Sequence, residues 1–151
     1  MTQLPEGGGD LNADITATLC SRLSGGVLFT RVGASLLVSM NPYAPATLGA
    51  GGPPLFSAAA LAHFRCALPG FQAPHLFDVA LNVRKGLAAG TRQAVLCSGE
   101  SGAGKTECAR VLLGALAAAG SPACARLLPS HLLLEAFGNA ATAKNDNSSR
   151  L

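Results

Sequence analysis

Residues 97–107 read CSGESGAGKTE, a run of small residues that leads into a lysine and a threonine. Within it, residues 99–106 fit the pattern GxxxxGK[ST], and we call this segment the glycine loop. The apolar run QAVLCSG at 93–99 predicts a buried strand before the loop, whereas ECARVLLGALAAA predicts a helix after Lys105. A strand, a glycine loop and a helix in this order are the context in which the pattern binds phosphate.

The residue types of the glycine loop suit a nucleoside triphosphate. Small residues let consecutive backbone N–H groups face inward around an anion, and the following helix adds its positive end. The Lys105 ammonium can reach the phosphates, and the Thr106 hydroxyl can bind Mg²⁺. The predicted phosphate-binding residues are Gly99, Glu100, Ser101, Gly102, Ala103, Gly104, Lys105 and Thr106. The alternative is a flexible helix start in a chain that has 18 glycines. The strand–helix context favours phosphate binding and an α/β fold of the P-loop NTPase type.

Composition limits the other classes of protein. The 151 residues suit one domain, and 49% of them are hydrophobic, whereas only 13% are charged. The net charge of +3 comes with no basic stripe, so no nucleic-acid partner is expected. A surface so poor in charge indicates apolar faces that something else covers.

Cysteine usage and hydropathy predict a cytoplasmic protein. The five cysteines are odd in number and lack CxxC spacing, which argues against a disulfide framework or a zinc site. The first ten residues, MTQLPEGGGD, lack a secretory signal pattern, and we expect residues 1–10 to be flexible. The longest apolar stretch, at 111–120, is shorter than the about 18–20 residues that a membrane span needs.

Periodicity and breakers predict the remaining elements. These are a helix over 11–23 with Asn12 or Asp10 as N-cap, a β-hairpin over 27–42 around Gly33, a loop over 44–54, a helix from Ser57 to Ala67, and a helix from Pro74 closed by Gly90. Residues 127–139 predict a loop and then a helix capped by Ser130, and a polar tail follows.

Two phosphate motifs together resemble the myosin motor family. GESGAGKTE at 99–107 is similar to the family's P-loop, and EAFGNAATAKNDNSSR at 135–150 resembles the segment that leads into its switch I. Three upstream stretches, LNADITATLCSRL, VLFTRVGASLLVSMNPY and PHLFDVALNVRKGL, resemble the family in the same order. The resemblance covers residues 11–151, and it implies a partial motor domain with its P-loop at 99–106 and switch I at 145–150 that ends before switch II.

The resemblance implies a role for each matching residue. Lys105, Asn145, Ser148 and Arg150 would serve phosphoryl transfer, and Thr106 and Ser149 would bind Mg²⁺. The hydroxyl and amide groups suit a reaction that depends on positioning and charge. By itself NDNSSR could also be an ordinary polar turn.

The segment Asn41, Pro42 and Tyr43 resembles the family's NP-aromatic segment beside the adenine. The chain departs from the family shortly after it, because Gly49 replaces a common tyrosine and Ala44 replaces a basic residue. The resemblance therefore implies ATP as the nucleotide, with fewer purine contacts. Without the family, NPY is a turn after a strand.

The resemblance implies the ATP-binding portion of a cytoskeleton-associated myosin. In the complete motor, ATP hydrolysis would drive movement along actin filaments, while the activity of this stretch alone stays open. One alternative is a small P-loop kinase or GTPase, although the guanine-reading NKxD is absent. The other is a non-catalytic fragment, and Mg·ATP binding and turnover would separate all three.

Several single features have competing interpretations. LLLEAFG at 132–138 imitates a strand that ends in an acid, but its composition favours a helix. The histidines, His63, His75 and His131, share no ligand spacing, so we expect them to pack or to lie on the surface. Cys108 is either a thiol activated by its helix or an ordinary buried one. A central strand at 93–99 without neighbours would make the isolated chain fold poorly or aggregate.

Overall fold

The structure, a computed structural model, describes residues 11–66, 73–142 and 145–149. Within them lie, in chain order, α1 (Leu11–Ser24), β1 (Phe29–Val32), β2 (Leu36–Ser39), α2 (Ala58–Cys66), α3 (Leu76–Ala88), α4 (Lys105–Ala118), α5 (Pro122–Gly138), β3 (Asn139–Thr142) and β4 (Asn145–Ser149). The predicted flexible segment, residues 1–10, lies outside the described residues. The described elements are thus five helices and two small antiparallel hairpins.

The first hairpin forms where the sequence predicts it. β1 and β2 pair antiparallel, with Phe29 opposite Ser39 and Val32 opposite Leu36. Gly33 turns the chain with a φ of 60°, which glycine adopts without a steric cost. Helix α1 is tied to this hairpin because the Arg22 side chain donates to the Thr30 hydroxyl at 2.8 Å. The predicted helix over 11–23 and the hairpin are thus both confirmed.

The core lies between the first hairpin and helices α2, α3 and α4. Its buried side chains are Leu28, Phe29, Leu55, Ala60, Leu61, Phe64, Leu76, Phe77, Ala80, Val111, Leu112 and Ala115. Helix α2 begins as predicted, since the Ser57 hydroxyl accepts a bond from the Ala60 N–H at 3.2 Å. The Arg31 guanidinium of β1 forms an ion pair with Asp78 of α3. The hairpin and α3 are therefore held by apolar packing and by one partly exposed charge pair.

His75 is the most deeply buried polar side chain of this core, with 1% of its surface exposed. Its Nδ1 atom caps α3 by accepting a bond from the Phe77 N–H at 3.0 Å. Its ring stacks on Phe64 at a centroid distance of 4.5 Å and meets Phe29 edge-on at 4.8 Å. Burial lowers the pKa of His75 to about 4, and the backbone of Leu55 opposes part of that shift. The prediction that His75 packs is confirmed.

Helix α5 is longer than predicted. Its start was expected at Ser130, whereas it begins at Pro122 behind the N-cap Ser121, whose hydroxyl accepts a bond from Cys124 N at 3.4 Å. Proline at a first helical turn loses no bond, so Ser121-Pro122 is the stronger start signal. The helix passes through Pro129, and its second half contains LLLEAFG, as the helical interpretation predicts.

The described part of the polar tail after α5 forms a second hairpin. Strands β3 and β4 pair antiparallel, with Asn139 opposite Ser149 and Ala140 opposite Ser148. The register shifts between Ala140 and Thr142. The sequence indicated only a polar tail here, because short polar residues show no apolar alternation, although backbone pairing does not require it.

The strand predicted at 93–99 does not form in this chain. Residues 91–99 have neither helical nor strand structure, and Val95 and Leu96 are 47% and 91% exposed. A strand needs a neighbour, and in the part of the chain that the structure describes each hairpin pairs only with itself. The apolar run therefore has the composition of a strand, but it lacks the neighbouring strand that would order its backbone. Among the described helices, none has the length and apolar character that a membrane crossing demands.

We predict that acid weakens the folded state through His75. Its pKa falls from 6.5 to about 4 on folding, so the unfolded chain binds more protons as the pH drops through this window. The free energy of unfolding should fall by about 2 kcal/mol between about pH 7 and about pH 5, measured by urea denaturation. His75→Asn can still cap α3 but does not titrate there, and it should flatten this pH dependence. An equally steep loss in His75→Asn would contradict the assignment.

We predict that the exposed run at 93–99 promotes aggregation of the chain. Leu96→Lys places a charge on the most exposed apolar side chain of this run and should raise the soluble fraction at least about twofold. Light scattering against time measures the effect. Leu87→Lys on α3 makes the same change at a position that is 54% exposed, and it should help less because that backbone is already paired. Equal effects of both variants would refute a role for the unpaired segment.

Candidate functional site

The glycine loop has a backbone that only glycine adopts readily. Gly99, Gly102 and Gly104 have φ values of 152°, 83° and 88°. Gly104 is the left-handed N-cap of α4, so the chain turns sharply there before Lys105 opens the helix. A Cβ atom on Gly99 would lie 3.1 Å from the Ala103 Cβ, tighter than ordinary contact. The loop is therefore a compact turn whose backbone would be strained by any other residue at these three positions.

Lys105 closes the glycine loop across its two ends. Its Nζ donates to the carbonyl oxygens of Gly99 at 2.8 Å and Glu100 at 2.7 Å. The Ala103 N–H donates to the same Glu100 oxygen at 3.2 Å, and the Cys108 N–H donates to Gly104 at 2.9 Å. The first turn of α4 thus begins with an ammonium beside the loop and with the half-buried Thr106.

The structure joins the NPY segment to the glycine loop. The Asn41 Nδ2 donates to the Gly102 carbonyl at 2.9 Å, and the Tyr43 hydroxyl donates to the same oxygen at 3.1 Å. The Asn41 Oδ1 also accepts a bond from the Tyr43 N–H at 3.0 Å, which fixes the turn. Asn41 and Gly102 are 61 positions apart in sequence, so the fold brings two predicted groups of site residues into contact.

A cavity of about 500 Å³ lies beside this contact. Its wall is mostly apolar and includes Asn41, Pro42, Phe56, Ala103, Gly104, Glu107 and Cys108. The sequence reasoning missed the lining residues that come from the first hairpin region and from the segment before α2. These are Leu28, Phe29, Met40 and Leu55. No short motif marks these residues. Their one signal is the position of Asn41-Pro42 directly after a strand.

Three of the predicted switch I residues lie on β4. The backbones of Asn145, Ser148 and Ser149 belong to that strand, which pairs with β3. Arg150 lies outside the described residues, and the side chains of the other three are not described. Their approach to the glycine loop stays a prediction.

Cys108 is a half-buried thiol in the cavity wall. Its Sγ lies 4.0 Å from the Ser39 hydroxyl, and burial raises the pKa of Cys108. A raised pKa favours the interpretation of Cys108 as an ordinary buried thiol, because a thiol activated by the helix would have a lowered pKa. In the part of the chain that the structure covers, no three acidic, histidine or cysteine side chains come together as a metal site. His63 is exposed, and His131 lies near Glu135 on α5.

The site thus combines a tight glycine turn, an ammonium, a helix start and an adjoining apolar cavity. A family model described as myosin head (motor domain) matches residues 11–151. The chain belongs to this family.

Curated relatives agree with the family match. The chain is 38% identical to Myosin-6 of Arabidopsis thaliana over 90% of its own length and 9% of that protein. It is 37% identical to Myosin ID heavy chain of Dictyostelium discoideum over 92% of its length and 12% of that protein. It is 35% identical to Unconventional myosin-Ia of Gallus gallus, with coverages of 88% and 13%. The chain therefore spans about a tenth of the length of these relatives.

We predict that alanine has opposite effects on the free energy of unfolding at Gly104, which caps α4, and at Gly114, which lies inside α4. Gly104→Ala puts a side chain where φ is 88° and should lower the free energy of unfolding by about 1–2 kcal/mol. Gly114→Ala lies inside α4, where a Cβ meets nothing within 4 Å, and should raise it by about 0.5–1 kcal/mol. Urea denaturation monitored by circular dichroism measures both. Shifts of the same sign would show that the left-handed turn is not a constraint.

Proposed function

We propose that this chain is the ATP-binding portion of a myosin motor domain, with a P-loop at 99–106. The carrying observation is the glycine loop, a turn of left-handed glycines that α4 follows and whose ends the Lys105 ammonium bridges. An anion is favoured there because backbone N–H groups and the helix dipole both present positive charge. Membership of the myosin head family supports a nucleotide as that anion.

The residues present fit a triphosphate with Mg²⁺. A Cβ atom on Gly99 would crowd the Ala103 Cβ, so glycine keeps this part of the loop open for backbone contact with a ligand. Lys105 already stands beside that surface, and an incoming phosphate can replace the two carbonyls as partner of its ammonium. Thr106 lies in the first turn of α4, where its hydroxyl would be an oxygen ligand of the kind Mg²⁺ prefers. Bound Mg²⁺ would supply charge neutralisation between the phosphate oxygens.

We place the adenine in the cavity beside the glycine loop. Its volume of about 500 Å³ and its apolar wall are typical of small-molecule sites. Pro42, Phe56 and the half-buried Cys108 line it. Neither Ala44 nor Gly49 can supply the aromatic or basic contact that other family members have there. Base recognition would therefore depend more on apolar contact than on hydrogen bonds.

The remaining site residues would act in hydrolysis. Asn145 would approach the phosphates, Ser148 would hold the attacking water, and Ser149 would join Thr106 on the metal. Arg150 would complete switch I through an acidic partner. These roles rest on the match of residues 145–150 to the family, because phosphoryl transfer depends on positioned polar groups.

In the whole protein, ATP hydrolysis would drive movement along actin filaments, in the cytoplasm and on the cytoskeleton. The relatives that support this proposal are unconventional myosins and a myosin heavy chain. No observation favours a small kinase, a GTPase or a fragment without ligands.

We predict that Lys105→Met weakens Mg·ATP binding by about 10- to 100-fold, because a charge-assisted hydrogen bond contributes about 1.5–3 kcal/mol. Isothermal titration calorimetry on the chain measures the dissociation constant. Lys85→Met removes the same charge from the exposed face of α3 and should leave it unchanged. Thr106→Val should abolish the gain in affinity that Mg²⁺ gives. Wild-type affinity in Lys105→Met would refute the proposed phosphate site.

A further inference from the structure

We propose that Asn41 and Tyr43 are positioning residues of the glycine loop. Tyr43 would affect phosphate binding through the loop and would not contact the base. The two side chains would hold the Gly102–Ala103 peptide in the orientation that phosphate binding needs. This inference rests on the proposed function, but its first observable is a property of the chain without ligand.

The Gly102 carbonyl is fully used by the NPY segment. A carbonyl oxygen has two lone pairs, and here one partner is the Asn41 amide at 2.9 Å and the other is the Tyr43 hydroxyl at 3.1 Å. A trans peptide is planar, so its N–H points opposite to its C=O. Holding the carbonyl toward residues 41 and 43 therefore aims the Ala103 N–H at the other side, into the glycine loop.

The other end of the same peptide is held by one long hydrogen bond. The Ala103 N–H donates to the Glu100 carbonyl at 3.2 Å, the long end of the normal range. A phosphate oxygen that enters the loop can replace this carbonyl without rotation of the peptide. Gly102 has a φ of 83° and no Cβ, so side-chain sterics do not fix the peptide. The two donors from the NPY segment are then what prevents it from turning over.

The position of Tyr43 argues against contact with the base. Its side chain is 81% exposed, and it does not line the cavity, whereas Asn41, Pro42 and Ala44 do. Tyr43 also has a φ of 50°, a conformation that costs a non-glycine residue about 1–2 kcal/mol. Its N–H bond to Asn41 and its hydroxyl bond to Gly102 hold it there. The ring of Tyr43 faces solvent and its hydroxyl bonds the glycine loop, as expected for a side chain that holds the loop in place.

The first experiment observes the peptide directly by NMR, with ¹³C-carbonyl glycine and ¹⁵N alanine. Only Gly–Ala peptides give signals, and the chain has four of them, at 33–34, 49–50, 102–103 and 114–115. Tyr43→Phe removes one hydroxyl donor and should shift the 102–103 signal while leaving the other three unchanged. Asn41→Ala should shift the same signal further, because it removes the Tyr43 N–H acceptor as well.

The chain offers a matched control. Thr47 also donates a hydroxyl to a glycine carbonyl, that of Gly49 at 2.9 Å, and Gly49 begins another of the four peptides. Thr47→Val should therefore shift the 49–50 signal and leave 102–103 unchanged. An unmoved 102–103 signal in Tyr43→Phe, with a moved 49–50 signal in Thr47→Val, would overturn the inference whatever the chain binds.

The second experiment separates phosphate from base. Calorimetric titrations with Mg²⁺ and ATP, GTP or inorganic tripolyphosphate compare ligands that share only the phosphate chain. Tyr43→Phe should weaken all three by the same factor, between about 2- and 10-fold, because one neutral hydrogen bond is lost. A loss for ATP with unchanged tripolyphosphate binding would make Tyr43 a base contact and refute its positioning role. If the wild-type chain binds none of the three, the proposed function fails, while the NMR result still decides whether residues 41 and 43 hold this peptide.

Discussion

The neutral ring of His75 holds together three parts of the chain that are distant in sequence. Phe29 comes from the first hairpin, Phe64 from α2 and Phe77 from α3, and all three rings contact the imidazole. Because the ring also caps α3, a single side chain both begins that helix and fills the core. A charged imidazolium could do neither at this degree of burial without a partner. The arrangement of hairpin and helices therefore depends on one unprotonated histidine.

That core determines where the site forms. The first hairpin leads directly into Asn41, and α4 packs its Val111 and Leu112 on the same core. The NPY segment therefore reaches the glycine loop because both are attached to one packed unit. Residues of the hairpin region and of the core line the cavity beside them. Its shape therefore depends on apolar packing more than on the glycine loop.

The sequence allowed the first hairpin and helices α1 to α4 to be predicted, because their signals are local. Gly33 marks a turn, Ser57 marks a helix start, and apolar residues recur at helical spacing. The start of α5 was misplaced because Ser130 after Pro129 looks like a cap, although Ser121-Pro122 is the better one. The strand at 93–99 was wrong because pairing depends on residues elsewhere in the fold. For the same reason, motifs identified Asn41 and Gly102 separately, but not the hydrogen bond that joins them.

Pro129 gives α5 an uneven stiffness. Proline supplies no N–H, so the Ala125 carbonyl lacks its helical donor, and the helix can bend at this turn more easily than α4 can. Helix α5 packs on α4 and continues directly into β3. The second hairpin is therefore attached to the core through a helix that bends most easily near Pro129. A movement of this hairpin relative to the core would bend α5 within that one turn.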